Sequence, residues 1–284
     1  MEKTILKVKD LYYAYGNGKP ALNGISVDIH EGEKIAVIGS NGSGKSTFFL
    51  NINGVFTPET GKIIYRDTVV NKKSLKKLRK NIGIVFQDAD NQIIASTVMA
   101  EVGFGPMNLK LPKEEVKKRV EEALAYMNIS DFKNRPPHYL SGGEKKRVTI
   151  ADIIAMQSEI VIFDEPTAAL DPLNALMLEE VLDKLALEGK TMLISTHDVD
   201  FTYRWAERVL VFCHGKIIAD GTSLEIFKSR EILKQANLKQ PTMLEVYELL
   251  VEKHLLEDEK IYPKSTEELK KMLEKQVSFL GALA

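Results

Sequence analysis

Short runs of apolar, mostly β-branched residues recur along much of the chain, and turn signals or helix-like stretches separate them. These candidate strands span residues 34–38, 62–65, 82–86, 160–163, 191–195 and 209–212. Strands that are apolar throughout, rather than apolar on alternate positions, are typical of a sheet buried on both faces. The pattern therefore predicts an α/β fold with a mostly parallel sheet covered by helices on both sides.

The strand signal is absent between about residues 97 and 158. Apolar residues there recur at helical spacing and predict an amphipathic helix over 113–128: they are Val116, Val120, Ala123, Leu124 and Met127. A second helix is predicted over 142–156. We therefore expect a helical insert within the α/β core.

The chain turns helical again after Ala236. Pro241 stands near the start of a helix whose apolar face carries Leu244, Tyr247, Val251 and Leu255. Ser265 and Glu268 have the spacing of a capping box ahead of a last helix. Exposed apolar faces need burial, so we expect these helices to pack two subunits together.

Composition narrows the functional classes. The 284 residues carry 39 Lys and Arg against 40 Asp and Glu, a net charge of −1, which gives no general attraction for nucleic acid. No apolar run has the ~18 residues of a membrane span, and we expect no secretory signal. The single cysteine, Cys213, excludes an internal disulfide and fits a reducing cytoplasm. Any action on a membrane would require a partner.

A glycine-rich stretch connects the strand at 34–38 to a predicted helix that begins at Lys45. Residues 39–46 read Gly-Ser-Asn-Gly-Ser-Gly-Lys-Ser, which fits the phosphate-binding loop pattern in its strand–loop–helix context. Backbone N–H groups of such a loop converge on phosphate oxygens, and the helix start favours an anion. The side chain of Lys45 would reach the terminal phosphates, and the Ser46 hydroxyl would bind Mg²⁺.

The apolar run 160–163 ends in two carboxylates, Asp164 and Glu165. Buried charges at a strand tip are costly unless a cation compensates them. Asp164 is therefore a candidate ligand of Mg²⁺, and Glu165 is a candidate general base that polarises an attacking water. Phosphate binding with such carboxylates is still compatible with kinases, small GTPases, recombinases and transport ATPases.

A second candidate phosphate nest separates these classes. Ser141, Gly142 and Gly143, followed by Glu144, stand at the start of the predicted helix 142–156. One nucleotide rarely needs two such nests. We infer that the second nest serves the nucleotide of a neighbouring copy.

These motifs resemble those of the ATP-binding-cassette family, and the resemblance covers about residues 5–232. It implies a P-loop ABC ATPase core with a mostly parallel sheet and an antiparallel β subdomain. It also implies that two cassettes pack head to tail and clamp ATP between the glycine loop of one and the Ser-Gly-Gly of the other. Closure and hydrolysis then drive an attached membrane protein.

The resemblance also implies roles for single residues. Glu165, His197 and Gln87 would be catalytic, with Gln87 sensing Mg²⁺ and the γ-phosphate and His197 touching that phosphate. Tyr15 would stack on adenine, and Asp171 would lie on the loop that crosses the dimer interface. The predicted nucleotide-binding residues are Tyr15, Gly39, Ser40, Asn41, Gly42, Ser43, Gly44, Lys45, Ser46, Thr47, Ser141, Gly142, Gly143, Glu144 and Asp171. The predicted Mg²⁺ residues are Ser46, Gln87 and Asp164.

A narrower resemblance follows Gln87. Residues 87–94, then Thr97-Val98, the run 101–106 and Leu111-Pro112, resemble the ATPases of energy-coupling-factor importers, which take up transition metals and vitamins. Phe104-Gly105-Pro106 and the helical C-terminal extension are most similar to cobalt-import ATPases of the CbiO kind. Asp88 and Ala89 depart from the commoner Asn-Pro at these positions and touch no catalytic group.

Together these features predict an ABC ATP-binding domain over 1–235, with its helical subdomain at about 97–158, and a C-terminal helical extension over 236–284. The expected function is ATP hydrolysis coupled to import of cobalt or nickel ions, with ATP and Mg²⁺ bound. A vitamin cargo and a soluble cassette ATPase acting on DNA or ribosomes stay open as alternatives. Expected partners are a second ATP-binding subunit, as homodimer or related paralogue, a transmembrane coupling subunit and a substrate-specific membrane subunit, with no nucleic acid. The expected location is the cytoplasmic face of the cell membrane.

Overall fold

The computed structural model describes residues 3–16, 18–168 and 170–283. The strands are β1 (Thr4–Ala14), β2 (Pro20–His30), β3 (Lys34–Ile38), β4 (Thr60–Tyr65), β5 (Thr68–Val69), β6 (Ile82–Val85), β7 (Ile160–Asp164), β8 (Thr191–Ser195), β9 (Arg208–Cys213) and β10 (Lys216–Thr222). The helices are α1 (Lys45–Ile52), α2 (Leu75–Asn81), α3 (Val98–Asn108), α4 (Lys113–Tyr126), α5 (Gly142–Met156), α6 (Pro172–Leu187), α7 (Val199–Trp205), α8 (Ser223–Lys228), α9 (Arg230–Ala236), α10 (Thr242–Glu252) and α11 (Thr266–Leu283). None of the helices in these ranges combines the length and the apolar character needed to cross a bilayer.

The strands form two sheets, and the predicted α/β architecture is confirmed. The larger sheet has the order β10-β9-β3-β8-β7-β6, in which only the edge strand β10 runs antiparallel to its neighbour among the described strands. The smaller sheet, β2-β1-β4-β5, is antiparallel throughout and forms the β subdomain that the resemblance implies. Each strand predicted from the apolar runs is present within two residues of its expected bounds.

The parallel sheet separates two hydrophobic cores. Ile160 and Ile162 of β7 pack with the antiparallel sheet and α1, whereas Val161 and Phe163 pack with the insert helices. Alternate residues of a strand point to opposite faces, so a fully apolar strand supplies both cores at once. This arrangement explains why the central strands have no polar face.

The helical insert is confirmed, with α3, α4 and α5 between residues 97 and 158. The predicted helix 113–128 ends at Tyr126, and the predicted helix 142–156 is α5. Ser141 caps α5 with a capping box, in which its hydroxyl accepts from the Glu144 N–H and the Glu144 carboxylate accepts from the Ser141 N–H. This cap fixes where α5 begins.

The C-terminal helices are present, but part of their apolar face is already buried in the chain itself. Leu244 and Tyr247 of α10 are 0% and 1% exposed, and Leu244 joins the core on the side of the insert helices. The start of α10 is held by Asp200, whose carboxylate accepts from the Thr242 N–H at 2.6 Å. The expectation that the whole face packs a second subunit is therefore wrong for Leu244 and Tyr247. Leu249, Leu255 and Ile261 stay exposed.

Candidate functional site

The glycine loop joins β3 to α1, and two of its glycines are required by its geometry. Gly39 has φ of +146°, and a Cβ there would lie 2.2 Å from the Phe212 carbonyl oxygen. Gly44 has φ of +111°, and its Cβ would lie 2.7 Å from the Ala21 carbonyl oxygen. Any side chain would force the loop away from its neighbours. The loop can thus hold its backbone N–H groups in a fixed cradle at the start of α1.

Lys45 is buried beneath this loop. Its Nζ donates to the carbonyl oxygens of Gly39 at 2.8 Å and Ser40 at 3.3 Å. Burial lowers the pKa of Lys45, while the charges of Glu165 and Asp164 act in the opposite direction. The ammonium group is therefore held by weak neutral acceptors in a place where a phosphate would be a stronger partner.

A cavity of about 580 Å³ opens in front of the loop. Its lining unites residues that are far apart in the sequence: Tyr15, Lys19, Pro20, Ala21, Asn41, Gly42, Ser43, Gly44, Lys45, Ser46, Thr47, Gln87, Glu165, Ala168 and His197. Such a volume suits a nucleotide. The structure therefore brings the glycine loop, Gln87, Glu165 and His197 together, as the sequence predicts.

The two carboxylates at the end of β7 are positioned by the neighbouring strand β8. Ser195 Oγ donates to Asp164 Oδ1 at 2.6 Å and accepts from the Glu165 N–H at 2.9 Å. Asp164 is 7% exposed. Glu165 has φ of +47°, a conformation uncommon outside glycine, which turns its side chain out of the strand direction and into the cavity.

Glu165 has the electrostatic properties of a base. Burial raises the pKa of Glu165, whereas the charges of His197 and Lys45 oppose the rise. His197 Nε2 lies 3.0 Å from Glu165 Oε1. Within the described ranges, that buried oxygen accepts no hydrogen bond of good geometry. It is therefore able to accept a hydrogen bond from a water in the cavity.

Tyr15 closes one side of the cavity with an aromatic ring that is 45% exposed. Its hydroxyl lies 3.0 Å from Thr47 Oγ1, and its ring makes edge contacts with Tyr13 and Phe56 at centroid distances of 5.3 and 5.8 Å. These contacts fix the ring, and its exposed surface is available for stacking on a base.

The remaining predicted residues lie outside this cavity. Ser141 and Gly142 are exposed at the start of α5, beside Gly143 and Glu144. Asp171 caps α6, and its carboxylate accepts from the Asn174 backbone N–H at 2.9 Å and from the Asn174 side-chain amide at 2.7 Å. These bonds lower the pKa of Asp171, and the bonds from Ser141 lower the pKa of Glu144. Ser141, Gly142 and Asp171 are thus exposed outside the cavity, and Gly143 and Glu144 are half-buried there. The predicted residues Gly39, Ser40 and Asp164 also do not line the cavity directly.

Sequence reasoning missed several residues of the cavity. Lys19, Pro20, Ala21 and Ala168 line it without belonging to any motif. Ser195 was missed as the group that orients both carboxylates, although it directly follows the apolar run of β8. The carboxyl ends of neighbouring parallel strands lie at the same edge of a sheet. A serine at the end of β8 could therefore have indicated a polar group close to the carboxylates at the end of β7.

The residues present fit ATP and Mg²⁺. The glycine cradle and the buried Lys45 provide donors for phosphate, and the carboxylate of Glu165, which lines the cavity beside His197, provides an acceptor for water. Ser46 and Gln87 line the same cavity, and Asp164 lies at the neighbouring strand tip. Hydroxyl, amide and carboxylate oxygens are the ligands that Mg²⁺ prefers.

Comparisons with known proteins agree with this geometry. Residues 22–168 match the family model described as ABC transporter. The chain is 47% identical to an energy-coupling factor transporter ATP-binding protein, EcfA, of Methanocaldococcus jannaschii, over 88% of this chain and 90% of that protein.

Two solved structures show the same fold. The cbiO1 structure from Clostridium perfringens, part of the ABC transporter complex cbiONQ, is 40% identical with a TM-score of 0.74, covering 88% of this chain and 99% of that one. The cassette MJ0796, in a dimeric post-hydrolysis state bound to ADP and Pi, is 31% identical with a TM-score of 0.69, covering 77% of this chain and 98% of that one. The chain belongs to the ABC transporter family, as an ATPase of the energy-coupling-factor ATP-binding group.

Proposed function

We propose that the chain is the ATP-hydrolysing subunit of an energy-coupling-factor importer, placed on the cytoplasmic face of the membrane. One observation carries the proposal: the cavity holds a glycine loop, a base and Gln87, while Ser141 and Gly142 lie exposed outside it, with Gly143 half-buried beside them. A second phosphate nest that lies outside the chain's own nucleotide cavity suits a nucleotide held by another subunit. The dimeric state of the related cassette bound to ADP and Pi supports the same arrangement.

In each site, the chain's own residues would bind and orient ATP and water. The N–H groups of the loop and Lys45 hold the phosphates, and Tyr15 stacks on the adenine. Glu165 accepts a proton from water as the water oxygen bonds to the γ-phosphorus and the bond to the ADP oxygen breaks. Ser46, Gln87 and Asp164 would hold Mg²⁺, which neutralises phosphate charge when bound.

An exposed apolar surface on the insert fits contact with a membrane subunit. Ile94, Met99, Phe104 and Met107 are between 45% and 70% exposed, on α3 and just before it. Four large apolar side chains exposed so close together along the chain are typical of a protein contact site. They lie in the 20 residues that follow Gln87, so a partner bound to this surface would contact the stretch of chain that begins in the nucleotide cavity.

The proposed cargo is cobalt or nickel ions, and other subunits would select it. Similarity to cbiO1 of the cbiONQ complex supports this choice. The described ranges contain no group of three or more His, Cys, Asp or Glu side chains placed to hold a metal. Uptake of radiolabelled Co²⁺ and Ni²⁺ tests the cargo, in cells lacking this protein and complemented with wild type or Glu165→Gln. Uptake restored by wild type alone supports a metal importer, whereas absent metal uptake with the membrane subunits present would redirect the proposal to vitamins.

The general base is tested separately with purified protein. Glu165→Gln removes the proton acceptor but keeps the shape of the side chain, so we expect an ATP-bound dimer with turnover lowered at least about 100-fold. Subunit mass in solution with ATP and Mg²⁺ measures the dimer, and phosphate release measures turnover. Turnover near the wild-type rate would refute the role of Glu165.

A further inference from the structure

Two consecutive lysines join the start of α5 to the segment that carries Gln87. Lys146 is 4% exposed, and its Nζ donates to the carbonyl oxygens of Phe86 at 2.7 Å and Gln87 at 2.8 Å. Lys145 Nζ lies 2.6 Å from Asp90 Oδ1. Three contacts thus connect one turn of α5 to residues 86–90.

The carbonyl groups that accept from Lys146 belong to residues just beyond the end of a strand. Strand β6 ends at Val85, so Phe86 and Gln87 need partners outside the ladder of strand hydrogen bonds. Lys146 supplies both from one ammonium group. A lysine buried to this extent is costly, and burial lowers its pKa to about 8, while Asp164 and Asp88 favour its charged form. An apolar side chain would fill the same space without this cost, so the role of Lys146 lies in the hydrogen bonds that it donates.

The segment that receives these contacts is braced internally. The Gln92 side chain accepts from the Phe86 N–H at 3.0 Å, and the Asp88 carboxylate accepts from the Asp90 N–H and the Asn91 side chain, each at 2.9 Å. Residues 86–92 therefore form a compact loop, named here the Gln87 loop. These hydrogen bonds restrict the loop's own conformations and favour its movement as one unit.

The two ends of this connection face different nucleotides under the proposed function, on which the inference rests. Gln87 lines the cavity of its own chain. Ser141–Gly143, which precede Lys145 by two residues, would contact the nucleotide of the other subunit. We propose that Lys145 and Lys146 are positioning residues that join the Gln87 loop to the start of α5, so that ATP in one cavity sets the position of Ser141–Gly143 for the opposite cavity.

Substitution of Lys146 by methionine tests the connection, because methionine keeps the length and volume but donates no hydrogen bond. We expect the kcat of ATP hydrolysis to fall at least about tenfold, while the affinity for the fluorescent analogue TNP-ATP changes less than about threefold. Lys146→Arg retains the donors and should recover most of the kcat. Ile153→Ala on the same helix, which removes a buried apolar group away from the loop, should lower the Tm without this loss of kcat.

A double-mutant cycle decides whether Lys146 acts through Gln87. In a Gln87→Ala background, Lys146→Met should change kcat by less than about twofold, because the group that it positions is already absent. An equal loss of kcat in both backgrounds would overturn the proposal. If wild type itself hydrolysed no ATP, the proposed function would fail instead, so the two failures are distinguishable.

The other half of the proposal concerns Ser141–Gly143. In the Glu165→Gln background, Lys146→Met should raise the ATP concentration needed for dimerisation at least about tenfold, measured by sedimentation velocity. Lys145→Glu should weaken dimerisation, and the exchanged pair Lys145→Glu with Asp90→Lys should recover it. Unchanged ATP-dependent dimerisation in Lys146→Met would refute the connection.

Discussion

A half-buried aspartate in the helical insert, with one fully buried carboxylate oxygen, predicts how stability depends on pH. Asp152 lies on α5 where it faces α3: a Cβ on Gly105 would come within 3.2 Å of Asp152 Oδ1. That oxygen has no hydrogen-bond partner in the described part of the chain. Burial, with a smaller contribution from Glu101, raises the pKa of Asp152 from 3.8 to about 7.

The sign of the effect follows from proton binding. The folded state holds a proton on Asp152 up to about pH 7, whereas the unfolded chain releases it near pH 3.8. The free energy of unfolding therefore falls as pH rises from about 4 to 7 and is then constant. A shift of about three pH units corresponds to at most about 4 kcal/mol, and partial access of water reduces this to about 1–3 kcal/mol.

The substitution Asp152→Asn removes this dependence, because the amide has the same shape and stays neutral. Between pH 5 and pH 8, we expect the unfolding free energy of wild type to fall by about 1–3 kcal/mol relative to that of the variant. Urea unfolding at pH 5, 6, 7 and 8 measures it. Asp183→Asn, at an exposed position of α6, controls for the change in net charge. A difference for Asp152→Asn that is independent of pH would refute the reasoning.

The other predictions concern the cavity and the C-terminal helices. Gly39→Ala places a methyl group against the Phe212 carbonyl and should weaken TNP-ATP binding at least about tenfold, and unchanged affinity would contradict the cradle. Tyr15→Ala should raise the KM for ATP about fivefold, whereas Tyr15→Phe, which keeps the stacking surface, should stay within about twofold; equal effects would contradict stacking. Leu249→Asp, at a residue 52% exposed, should lower ATP-dependent dimerisation without lowering the Tm if α10 packs against a second subunit, and unchanged subunit mass with ATP would count against it.

The local parts of the site were predictable from sequence because their signals are local. Gly39, Lys45 and Ser46 lie within one strand–loop–helix segment, and the cap of α5 involves only the four residues from Ser141 to Glu144. The parallel sheet was predictable for a related reason: strands such as β7 are apolar on both faces because both faces are buried.

Features that depend on tertiary register were not predictable in this way. Ser195 orients Asp164 only because β7 and β8 pair with these two residues in register. The amphipathic face of α10 is correct for Leu244 and Tyr247, but the helix ends at Glu252, so the prediction that Leu255 lies on it is wrong. Its partner was not predictable, since Leu244 packs in its own chain rather than on a second subunit. Lys146 belongs to a charged stretch that suggests a solvated helix, and only the fold shows that it is buried under the Gln87 loop.

The same limit applies to the cap of α11. Ser265 accepts from the Glu268 N–H at 3.2 Å as expected, but the Glu268 carboxylate accepts from the Lys264 N–H at 2.7 Å instead of from Ser265. The spacing of two residues therefore predicted the helix start but not the second bond of the capping box. The bounds of the predicted domains stay a prediction.

The central claim is that each ATP is enclosed by two chains, and mixing two inactive variants tests it most directly. Lys45→Ala disables the glycine loop, and Ser141→Arg disables the exposed nest, so each variant alone should hydrolyse no ATP. In a head-to-tail dimer of the two, one site carries both defects and the other carries neither. An equal mixture forms about half mixed dimers and should therefore regain about a quarter of the wild-type ATPase rate. A mixture as inactive as its components would contradict the shared site.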